Sequence, residues 1–470
     1  MLKITRSTCV AVLSFSGAAL AQVALQPRMG DPVPGLTAVE TERFARGRVA
    51  FEHKQTLVEG LGPIFNRDRC LHCHAGPAAG GGSGITVTRI GVAAVGAVPF
   101  DPLIALGGGV LQTNTVALPG CQEFVPVQAN VVSPRISPPL FGLGLVEAIT
   151  DVDIQVREFI PPPGVSGRAN IMTPIETPLG QARVGRFGWK AQIATILNFT
   201  ADASMQELGL SNRFFPLDNA PNAPAVAFPN QPCDSVMDPE DGPDAQGFHK
   251  IDRMTDFVRF LAPPPQTPRA GMTGALLFDA IGCAKCHVST TYTTSPLAPE
   301  AALANQAIRP YSDFLLHDLG DALADGIPDG LANTREMRTP PLWGLRFRAP
   351  VALLHDGRAA GQNSIEANLE LALLAHGGEA AATTANYVGL SASDKAQLYK
   401  FLLSLGRAEF DFADDDNLID LVDWFFMRPF VTGPGAHFTA DDPVAVCDFD
   451  GDGDLDLRDL AAFQRAFVGL

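Results

Sequence analysis

Residues 70–74 have the sequence Cys-Leu-His-Cys-His, and residues 283–287 have the sequence Cys-Ala-Lys-Cys-His. Two cysteines separated by two residues and followed by a histidine form the attachment motif of c-type haem. Each thiol adds to a vinyl group and the imidazole binds the iron, so one short turn must present all three groups. A zinc site or a redox dithiol is the alternative, but zinc needs a second nearby Cys/His pair, and neither motif has one in sequence. The sequence predicts two covalently bound haem groups, held by Cys70, Cys73, His74, Cys283, Cys286 and His287.

The chain has 470 residues and a formal net charge of −17, most of it at one end. Residues 410–470 contain 14 Asp, no Glu and 3 Arg, and so carry −11 of that charge. This balance argues against nucleic acid and anionic membrane surfaces as partners. The length predicts about two to four domains.

The first residues have the order of a secretory signal peptide. Lys3 and Arg6 precede an apolar stretch, residues 9–20, and residues 19–21 read Ala-Leu-Ala. We expect residues 1–21 to be a signal peptide, and the mature chain to be periplasmic, on the cell surface or secreted. A buried first helix is the alternative. No other segment approaches the roughly 18 uninterrupted apolar residues of a membrane helix, so we expect no membrane span.

Three cysteines lie outside the signal peptide and the two motifs. In an oxidising compartment Cys121 and Cys233 can form a disulfide, whose loop of about 110 residues would contribute about 4–5 kcal/mol on the chain-entropy account. The sequence does not determine the connectivity. Cys447 is most simply the unpaired thiol.

The surroundings of the two motifs repeat as well. Phe65 and Phe278 each lie five residues before the first Cys of a motif, and Ser-Pro-Pro-Leu-Phe-Gly-Leu at 137–143 recurs as Thr-Pro-Pro-Leu-Trp-Gly-Leu at 339–345. The chain therefore contains an internal duplication. Because the proline pair excludes a continuing helix, each copy should form a rigid turn that packs against a haem face.

Each copy ends in an amphipathic helix. Apolar residues at helical spacing run from 251 to 261 before the prolines 263–265, and from 398 to 405 before Gly406. We place a domain boundary in the Pro-rich stretch 262–269.

This boundary defines an N-terminal haem domain at residues 22–265 and a cytochrome c domain at 266–408. Within the first domain, residues 79–128 are rich in Gly, Val and Ala. They predict either short strands or extended loops.

Over roughly residues 40–407, the chain resembles the bacterial di-haem oxidoreductases, a family of peroxidases and thiol oxidoreductases. The family is similar in turn to the di-haem cytochrome c peroxidases and to the di-haem enzyme that matures tryptophan tryptophylquinone. The resemblance implies a mainly α fold of two cytochrome-c-like haem domains with loop or short β insertions, whose haems face one interface. Its motifs here are Gly60 to Asn66, Ser137 to Ile149, Gly185 to Lys190, Tyr311 to Gly320, Arg338 to Leu345, Leu354 to Ala359 and His376 to Ala380.

The chain departs from the family pattern at two positions. In the family, His-Asp-Met-Gly is common, but residues 317–320 read His-Asp-Leu-Gly here, so that Leu319 replaces Met. A Trp usually precedes Arg-Thr-Pro-Pro, but here that position is Met337. Met337 is itself able to act as a soft iron ligand, so the sequence leaves the redox potential and the pocket of the second haem undecided.

The residues opposite each proximal histidine decide the function. A haem that relays electrons needs two strong axial ligands, whereas one that activates peroxide needs an open sixth position. Residues 364–376 read as a capped helix that ends before two glycines, and in related peroxidases the helix after the His-Asp-Gly motif supplies a Met ligand. The resemblance therefore makes His376 the first choice as ligand to the second iron. His317 and His355 are further candidates, as ligands, as partners of the propionates or as structural residues.

The first haem has no such candidate, because no histidine lies between His74 and His249. An open first haem would need a nearby acid or base to move a proton between the peroxide oxygens. Glu147, the only acid in the apolar run 135–147, is the candidate, and related enzymes use a distal Glu. Arg135 is the candidate to polarise the leaving oxygen, and Trp189 to relay electrons between the haems. A Glu paired with a structural Arg and a Trp that only packs are the alternatives.

The acidic end contains a calcium-loop pattern. Residues 448–459 place oxygen ligands at positions 1, 3, 5, 7, 9 and 12 and Gly at position 6, as an EF-hand loop requires. The predicted Ca²⁺ ligands are Asp448, Asp450, Asp452, Asp454, Asp456 and Asp459.

A degenerate copy of this loop precedes it, and its first position falls on Phe412 in the best register, so only the second loop predicts calcium binding. The two loop-helix units at residues 409–470 look like a dockerin module. Such a module implies a cohesin-like or surface protein as partner. An acidic disordered tail is the alternative.

Two functions follow from these patterns. The first is an exported di-haem oxidoreductase of peroxidase type, which takes electrons from a donor protein and delivers them to peroxide or another small oxidant. The second is a non-catalytic electron-transfer cytochrome, tethered through its dockerin-like end. Oxidation of another substrate shares the open haem with the first and differs in the reductant.

Overall fold

The computed structural model describes residues 25–468 apart from positions 117, 178–180, 227–228, 231–232, 269–270, 415 and 436. The signal peptide expected at residues 1–21 lies outside the described residues. In the described part of the chain, no helix is both long and apolar enough to cross a membrane.

Helices build most of the framework. They are α1 (Ala38–Glu52), α2 (Leu143–Glu147), α3 (Asp151–Phe159), α4 (Ile196–Leu208), α5 (Lys250–Phe260), α6 (Thr273–Ile281), α7 (Leu345–Arg348), α8 (Ile365–Ala375), α9 (Ala381–Val388), α10 (Ala392–Ser404), α11 (Leu421–Met427) and α12 (Leu457–Ala466). The predicted helices before the prolines at 263 and before Gly406 are confirmed as α5 and α10. The predicted helix after Ser364 is α8, in which the Ser364 hydroxyl accepts the Ala367 amide.

The strands are short and antiparallel. They are β1 (Ile64–Phe65), β2 (Thr86–Gly91), β3 (Val110–Leu111), β4 (Asn114–Thr115), β5 (Val131–Ile136), β6 (Ile171–Met172), β7 (Arg183–Val184), β8 (Asp218–Ala220), β9 (Ala223–Val226), β10 (Tyr292–Thr293), β11 (Ala307–Ile308), β12 (Leu316–Asp318) and β13 (Glu336–Arg338). In the described residues β3, β2 and β5 form a three-stranded sheet, with Thr86 opposite Ile136. The other sheets pair β1 with β4, β6 with β7, β8 with β9, β10 with β11 and β12 with β13. Residues 79–128 therefore contain short strands as well as loops.

Two pairs of helices cross at a glycine. An added Cβ on Gly47 of α1 would lie 2.4 Å from the carbonyl oxygen of Arg253 in α5, and one on Gly274 of α6 would lie 2.1 Å from that of Gln397 in α10. Because no side chain larger than hydrogen fits these gaps, both glycines fix the approach of a helix pair. The duplication seen in the sequence is thus present in three dimensions.

Apolar packing divides the chain unevenly. The largest core contains Phe51 and Phe257 from the first half and takes Phe314 and Trp343 from beyond the Pro-rich stretch 262–269. A second core gathers apolar residues of the second half, including Phe278, Tyr311, Leu398 and Phe401. The segment that follows the second motif therefore packs on both halves, which brings their sites together.

A disulfide joins Cys121 to Cys233, across a sequence separation of 112 residues. The four motif cysteines and Cys447 are unpaired, and Cys447 is buried. The structure thus selects the pairing that the sequence left open.

The acidic end forms two similar loop-helix units around their own core, which includes Phe410, Phe449 and Phe463. The amide of Phe449 donates to Asp459 Oδ1 (2.7 Å), and the amide of Phe412 donates in the same way to Asp423 Oδ1 (2.8 Å). Phe412 therefore corresponds to Phe449, the second position of its loop.

The register that placed the first position on Phe412 is wrong, because the first loop is one residue longer than the second. Its first position is Asp411, and the extra residue lies before Asp420. The Asp411 carboxylate is buried, and its Oδ2 accepts the Asn417 amide at 3.0 Å.

Candidate haem sites

The first motif forms a 3₁₀ turn, Cys70–His72, that returns the chain on itself. The amide of His74 donates to the carbonyl of Cys70 at 3.1 Å. Its Nδ1 donates to the carbonyl of Gly81 at 3.0 Å, which leaves Nε2 available to bind iron. Burial lowers the pKa of His74 to about 4, so the imidazole is neutral, as an iron ligand must be.

The second motif repeats this geometry. Cys283–Lys285 form a 3₁₀ turn, the amide of His287 donates to the carbonyl of Cys283 at 2.9 Å, and His287 Nδ1 donates to the carbonyl of Tyr311 at 3.0 Å. Burial lowers the pKa of His287 to about 4 as well. Each motif is therefore prepared in the same way to present two sulfurs and one free ring nitrogen.

The proline segments hold these acceptor carbonyls in place. The amide of Leu140 donates to the carbonyl of Gly80 at 2.7 Å, and the amide of Leu342 donates to that of Pro310 at 2.9 Å. Gly80 and Pro310 each precede the residue whose carbonyl binds the proximal histidine. The rigid turns therefore orient the two imidazoles, beyond the packing role that the sequence predicted.

A cavity of about 250 Å³ extends from the second motif towards both proline segments. Among the residues that line it are Cys283, Cys286, His287, Pro138, Pro139, Pro340 and Pro341. Arg338 and Arg348 also line it, and burial lowers the pKa of each to about 10.

These two guanidiniums donate to backbone carbonyls and make no ion pair with a carboxylate in the described residues. A buried cation without an anion is costly, so the cavity is suited to a largely apolar group with acidic substituents. Haem, with its two propionates, fits this description.

His376 is the best-prepared candidate for the sixth ligand of the second site. It ends α8, its Nδ1 donates to the carbonyl of Ala372 at 2.6 Å, and it lines the cavity with His287. The contact leaves its Nε2 free, which is the arrangement of both proximal histidines. Burial lowers its pKa, which keeps the imidazole neutral.

His317 is not suited to bind iron, because both of its ring nitrogens are occupied. Nε2 lies 2.9 Å from Asp313 Oδ2, and Nδ1 lies 2.9 Å from Glu379 Oε2. Burial opposes protonation, but the hydrogen bonds with Asp313, Cys286 and Glu379 outweigh it and raise the pKa of His317 to about 12. These contacts fit the structural alternative that the sequence left open for His317, which is a buried cation beside the second motif.

His355 and Trp189 contact each other at the edge of the cavity. Their ring centroids lie 6.4 Å apart at a steep angle, and Trp189 Nε1 donates to the carbonyl of Ile136 at 2.8 Å. This carbonyl directly precedes the first proline segment. Met337 and Leu319, the two departures from the family pattern, also line the cavity.

Both carboxylate oxygens of Glu147 have partners in the protein. Its Oε1 accepts the amide of Ile196 at 2.7 Å, at the start of α4, and its Oε2 accepts Arg259 Nε at 3.2 Å. The proton-transfer role predicted for Glu147 is not supported by this geometry, since both oxygens have structural partners. The alternative, a Glu paired with a structural Arg, describes its contacts.

Arg135 is likewise part of a buried ion network. Its Nη2 lies 2.6 Å from Asp325 Oδ2, and Lys190 Nζ lies 3.0 Å from Asp325 Oδ1. Burial acts in the opposite direction, but the charges of Arg135 and Lys190 hold the pKa of the Asp325 carboxyl below its ordinary value. Arg135 therefore forms a buried salt bridge, and among the described residues no contact bears on the role with peroxide that the sequence suggested for it.

The sequence reasoning missed two acids of α4, Glu207 near the first motif and its neighbour Asp202. Burial raises the pKa of Glu207 to about 7 and that of Asp202 to about 6. The negative charge of Glu207 also helps to raise the pKa of Cys70 and of Cys73, which places Glu207 close to the first motif. Glu207 Oε2 accepts Asn66 Nδ2 at 2.9 Å. The available signal was that Asp202 and Glu207 are the only acidic or basic residues of α4.

The predicted calcium loop is partly organised. Asp448 Oδ1 accepts the Gly451 amide at 2.8 Å and its Oδ2 accepts the Gly453 amide at 3.0 Å. Oxygen atoms of Asp448, Asp450 and Asp459 lie within 4.8 Å of one another, and so do those of Asp454, Asp456 and Asp459. In the first loop, Asp411, Asp414 and Asp416 form a similar group. Asp452 alone of the six predicted ligands belongs to neither group.

Comparison with known proteins bears on this geometry. Residues 127–405 match the sequence model of the family described as "Di-haem oxidoreductase, putative peroxidase". A solved structure of hydrazine synthase from Kuenenia stuttgartiensis, pressurised with xenon, aligns with 85% of this chain and 100% of its own at 13% identity and a TM-score of 0.33. A search of curated proteins finds no match.

Proposed function

The chain belongs to the di-haem oxidoreductase family, and we propose that it is an exported member with two covalently bound c-type haems, which transfers electrons from a donor protein to peroxide. The observation that carries the proposal is the difference between two otherwise matching sites. Both proximal histidines are oriented by a backbone carbonyl, and at the second site another imidazole oriented in this way, that of His376, lines the same cavity as the proximal histidine.

The residues that would hold the haems are Cys70, Cys73 and His74 in the first half and Cys283, Cys286 and His287 in the second. Arg338 and Arg348 would neutralise propionates. Haem iron with an open sixth position supplies the redox chemistry of peroxide reduction.

We propose that His287 and His376 would both hold the iron of the second haem. The free Nε2 and neutral imidazole of His376 make it a strong ligand. A haem with two imidazole ligands suits electron relay. The second site would therefore receive electrons and pass them on.

The three histidines other than His74 in the described part of the first half have partners of their own. His53 lies 2.8 Å from Glu59, His72 lies 2.9 Å from Asp68, and His249 Nδ1 donates to the carbonyl of Asp241 at 2.6 Å. The first site is therefore proposed to keep an open position, at which peroxide binds.

Glu207 is the proposed proton-transfer group of the first site. Asn66 holds its Oε2, and its pKa of about 7 means that both protonation states are populated near neutral pH. In its charged form it accepts a proton from bound peroxide, and in its neutral form it returns that proton to the leaving oxygen. Asp202, five residues earlier in α4, extends the acidic environment.

Trp189 is proposed to help electrons pass between the sites. Its indole contacts His355 and is held by the carbonyl of Ile136, next to the proline segment of the first site.

The acidic end is proposed to bind Ca²⁺ in the loop from Asp448 to Asp459, and in the first loop through Asp411, Asp414 and Asp416. Close carboxylates repel one another unless a cation neutralises them. A dockerin-like unit of this kind would attach the protein to a cohesin-like or surface partner.

An optical spectrum of the haem-loaded protein tests the proposal. It is recorded fully oxidised and half reduced, before and after one equivalent of hydrogen peroxide. We expect one high-spin and one low-spin haem, with only the high-spin component reacting. Two low-spin haems that ignore peroxide in both redox states would overturn the peroxidase proposal and leave a tethered electron carrier.

A further inference from the structure

Four acidic side chains converge at a point away from both haem motifs. Asp218 begins β8, and Asp234, Asp238 and Glu240 lie on the loop that follows Cys233. One carboxylate oxygen of each lies within 4.8 Å of the others. Acidic groups at a surface often cluster without a ligand, so the burial of these atoms decides the question.

Asp218 is fully buried, and neither of its carboxylate oxygens accepts a hydrogen bond of normal geometry in the described residues. Asp234 Oδ2 and Glu240 Oε1 are also buried without a partner. The nearby Ser211 donates its amide to Glu240 Oε2 at 2.8 Å, and its Oγ lies 3.0 Å from Asp238 Oδ1. A buried carboxylate beside three others is costly unless a proton or a cation neutralises it, so the arrangement is suited to a positive charge at its centre.

From this geometry we propose that Asp218, Asp234, Asp238 and Glu240 bind a calcium ion, separate from those proposed for the acidic end. The donors are all carboxylate oxygens, which favours a hard cation over zinc or copper. Ca²⁺ accepts irregular arrangements of six to eight oxygens, whereas Mg²⁺ requires near-ideal octahedral geometry. A strand end and an irregular loop suit the less demanding ion.

The surroundings of the cluster would be joined by the ion. The Cys121–Cys233 disulfide anchors one end of the loop, and Ser211 follows the end of α4. At the other end of the loop, Asp241 accepts the amides of Lys250 (2.6 Å) and Ile251 (3.3 Å) at the start of α5.

Both helices lead to the first motif. α4 carries Glu207, and Met254 of α5 lies 3.6 Å from Cys70 Sγ. Glu240 also packs tightly against Gly60, where an added Cβ would lie 2.1 Å from its Cγ. Calcium bound at this cluster would therefore stabilise the frame of the first haem site.

The test compares full-length, haem-loaded wild type with Asp218→Asn and, as a matched control, Asp244→Asn. Asp244 lies in the same segment but pairs with Arg253 and is not part of the cluster. Bound calcium is measured by elemental analysis after equilibrium dialysis against calcium chloride, and thermal unfolding is followed in calcium and in EGTA. Magnesium chloride serves as the competing cation.

We expect Asp218→Asn to bind one calcium fewer than wild type and Asp244→Asn to bind the same number. Asp218→Asn should unfold earlier than wild type in calcium but no earlier in EGTA, because the amide also removes repulsion from the empty cluster. If Asp218 had a purely structural role, its replacement would lower the unfolding temperature both in calcium and in EGTA. Equal calcium stoichiometry in wild type and Asp218→Asn would overturn the proposal.

The less buried members of the cluster keep the test decisive if Asp218→Asn does not fold. Asp238→Asn and Glu240→Gln should each weaken binding of one calcium at least tenfold. Unchanged affinity in both would also overturn the proposal. Replacement of the bound calcium by equimolar magnesium would overturn its assignment to calcium.

Discussion

His376 Nδ1 lies 2.6 Å from the backbone carbonyl oxygen of Ala372, in the helix that His376 ends. Both proximal histidines have the same kind of contact, His74 with Gly81 and His287 with Tyr311. A carbonyl that accepts from Nδ1 fixes the tautomer and directs Nε2 to a metal. His74, His287 and His376 are therefore prepared as ligands, and the last two line the same cavity.

Replacement of His376 by alanine should open the second haem. We expect the oxidised spectrum of His376→Ala to show one additional equivalent of high-spin haem, since among the described residues no other histidine of that cavity besides His287 has its Nδ1 held by a backbone carbonyl. Added imidazole should restore the low-spin signal. The matched control is His437→Ala, at an exposed position of the acidic end. An unchanged spectrum of His376→Ala would assign the sixth ligand to another residue.

Glu207→Gln and Glu147→Gln separate the acid found in the structure from the one expected from sequence. We expect Glu207→Gln to slow the reaction with peroxide about 100-fold, in the range of general acid-base catalysis. Glu147→Gln should react like wild type but lose about 1–3 kcal/mol of stability, because it weakens the contacts with Arg259 and Ile196. The opposite pattern in stopped-flow and urea unfolding would restore Glu147 to the reaction.

The same variant predicts a pH dependence. Burial places the pKa of Glu207 above the ordinary value for Glu, at about 7, and the charged form accepts the proton from peroxide. The rate should therefore rise as the pH increases towards about 7 and then level off. The contribution of Glu207 to the free energy of unfolding should fall as the pH rises from 4.5 to 7, because in this range the folded state binds the proton more tightly than the unfolded state. If the rate of Glu207→Gln still changes slope near pH 7, that change belongs to the titration of another group.

The disulfide should account for a large part of the stability of the first half. Removal of the pair by Cys121→Ser and Cys233→Ser together is expected to cost about 4–5 kcal/mol, because the loop of more than 100 residues gains freedom in the unfolded chain. Guanidinium unfolding in EGTA measures this loss in the free energy of unfolding while no calcium is bound at the acidic cluster around Asp218. Cys447→Ala, which removes a buried but unpaired thiol, is the control. A loss equal to that of the control would contradict the expectation.

The helix crossings can be tested with single methyl groups. Gly274→Ala would place its Cβ 2.1 Å from the carbonyl oxygen of Gln397, so we expect a loss of about 1–3 kcal/mol. Gly84→Ala, where the nearest atom is 3.6 Å away, should stay within about 0.5 kcal/mol of wild type. Equal unfolding midpoints for the two variants would show that the helices do not cross at Gly274.

Calcium binding at the acidic end has its own optical reporter. Trp424 packs against Phe463 with 5.7 Å between ring centroids, whereas Trp189 and Trp343 line the cavity beside the second motif, where bound haem would quench them. EGTA should therefore change an emission that comes mainly from Trp424. Asp459→Asn should weaken the calcium response at least tenfold, and Asp218→Asn should keep it. An unaltered response in Asp459→Asn would remove the calcium assignment of that loop.

Local patterns in the sequence determined the attachment turns, the duplication and the capped helices. The spacing of two cysteines and a histidine is a property of five consecutive residues, and the helix stops at Pro263 and Gly406 act within one turn of the chain. These features needed no information about distant residues, so they appear in the structure where they were predicted. The family match at residues 127–405 likewise follows from sequence alone.

Tertiary structure decided the roles of the individual polar side chains. Glu147 looked unpaired in its apolar run, but Arg259 lies 112 positions away in the chain. His317 looked like a ligand, but Glu379, 62 residues later, closes its second ring nitrogen. The protonation and availability of such groups depend on burial and on partners from remote segments, since electrostatic interactions act through space. The acidic cluster at Asp218 became visible for the same reason, because only the fold brings its four carboxylates together.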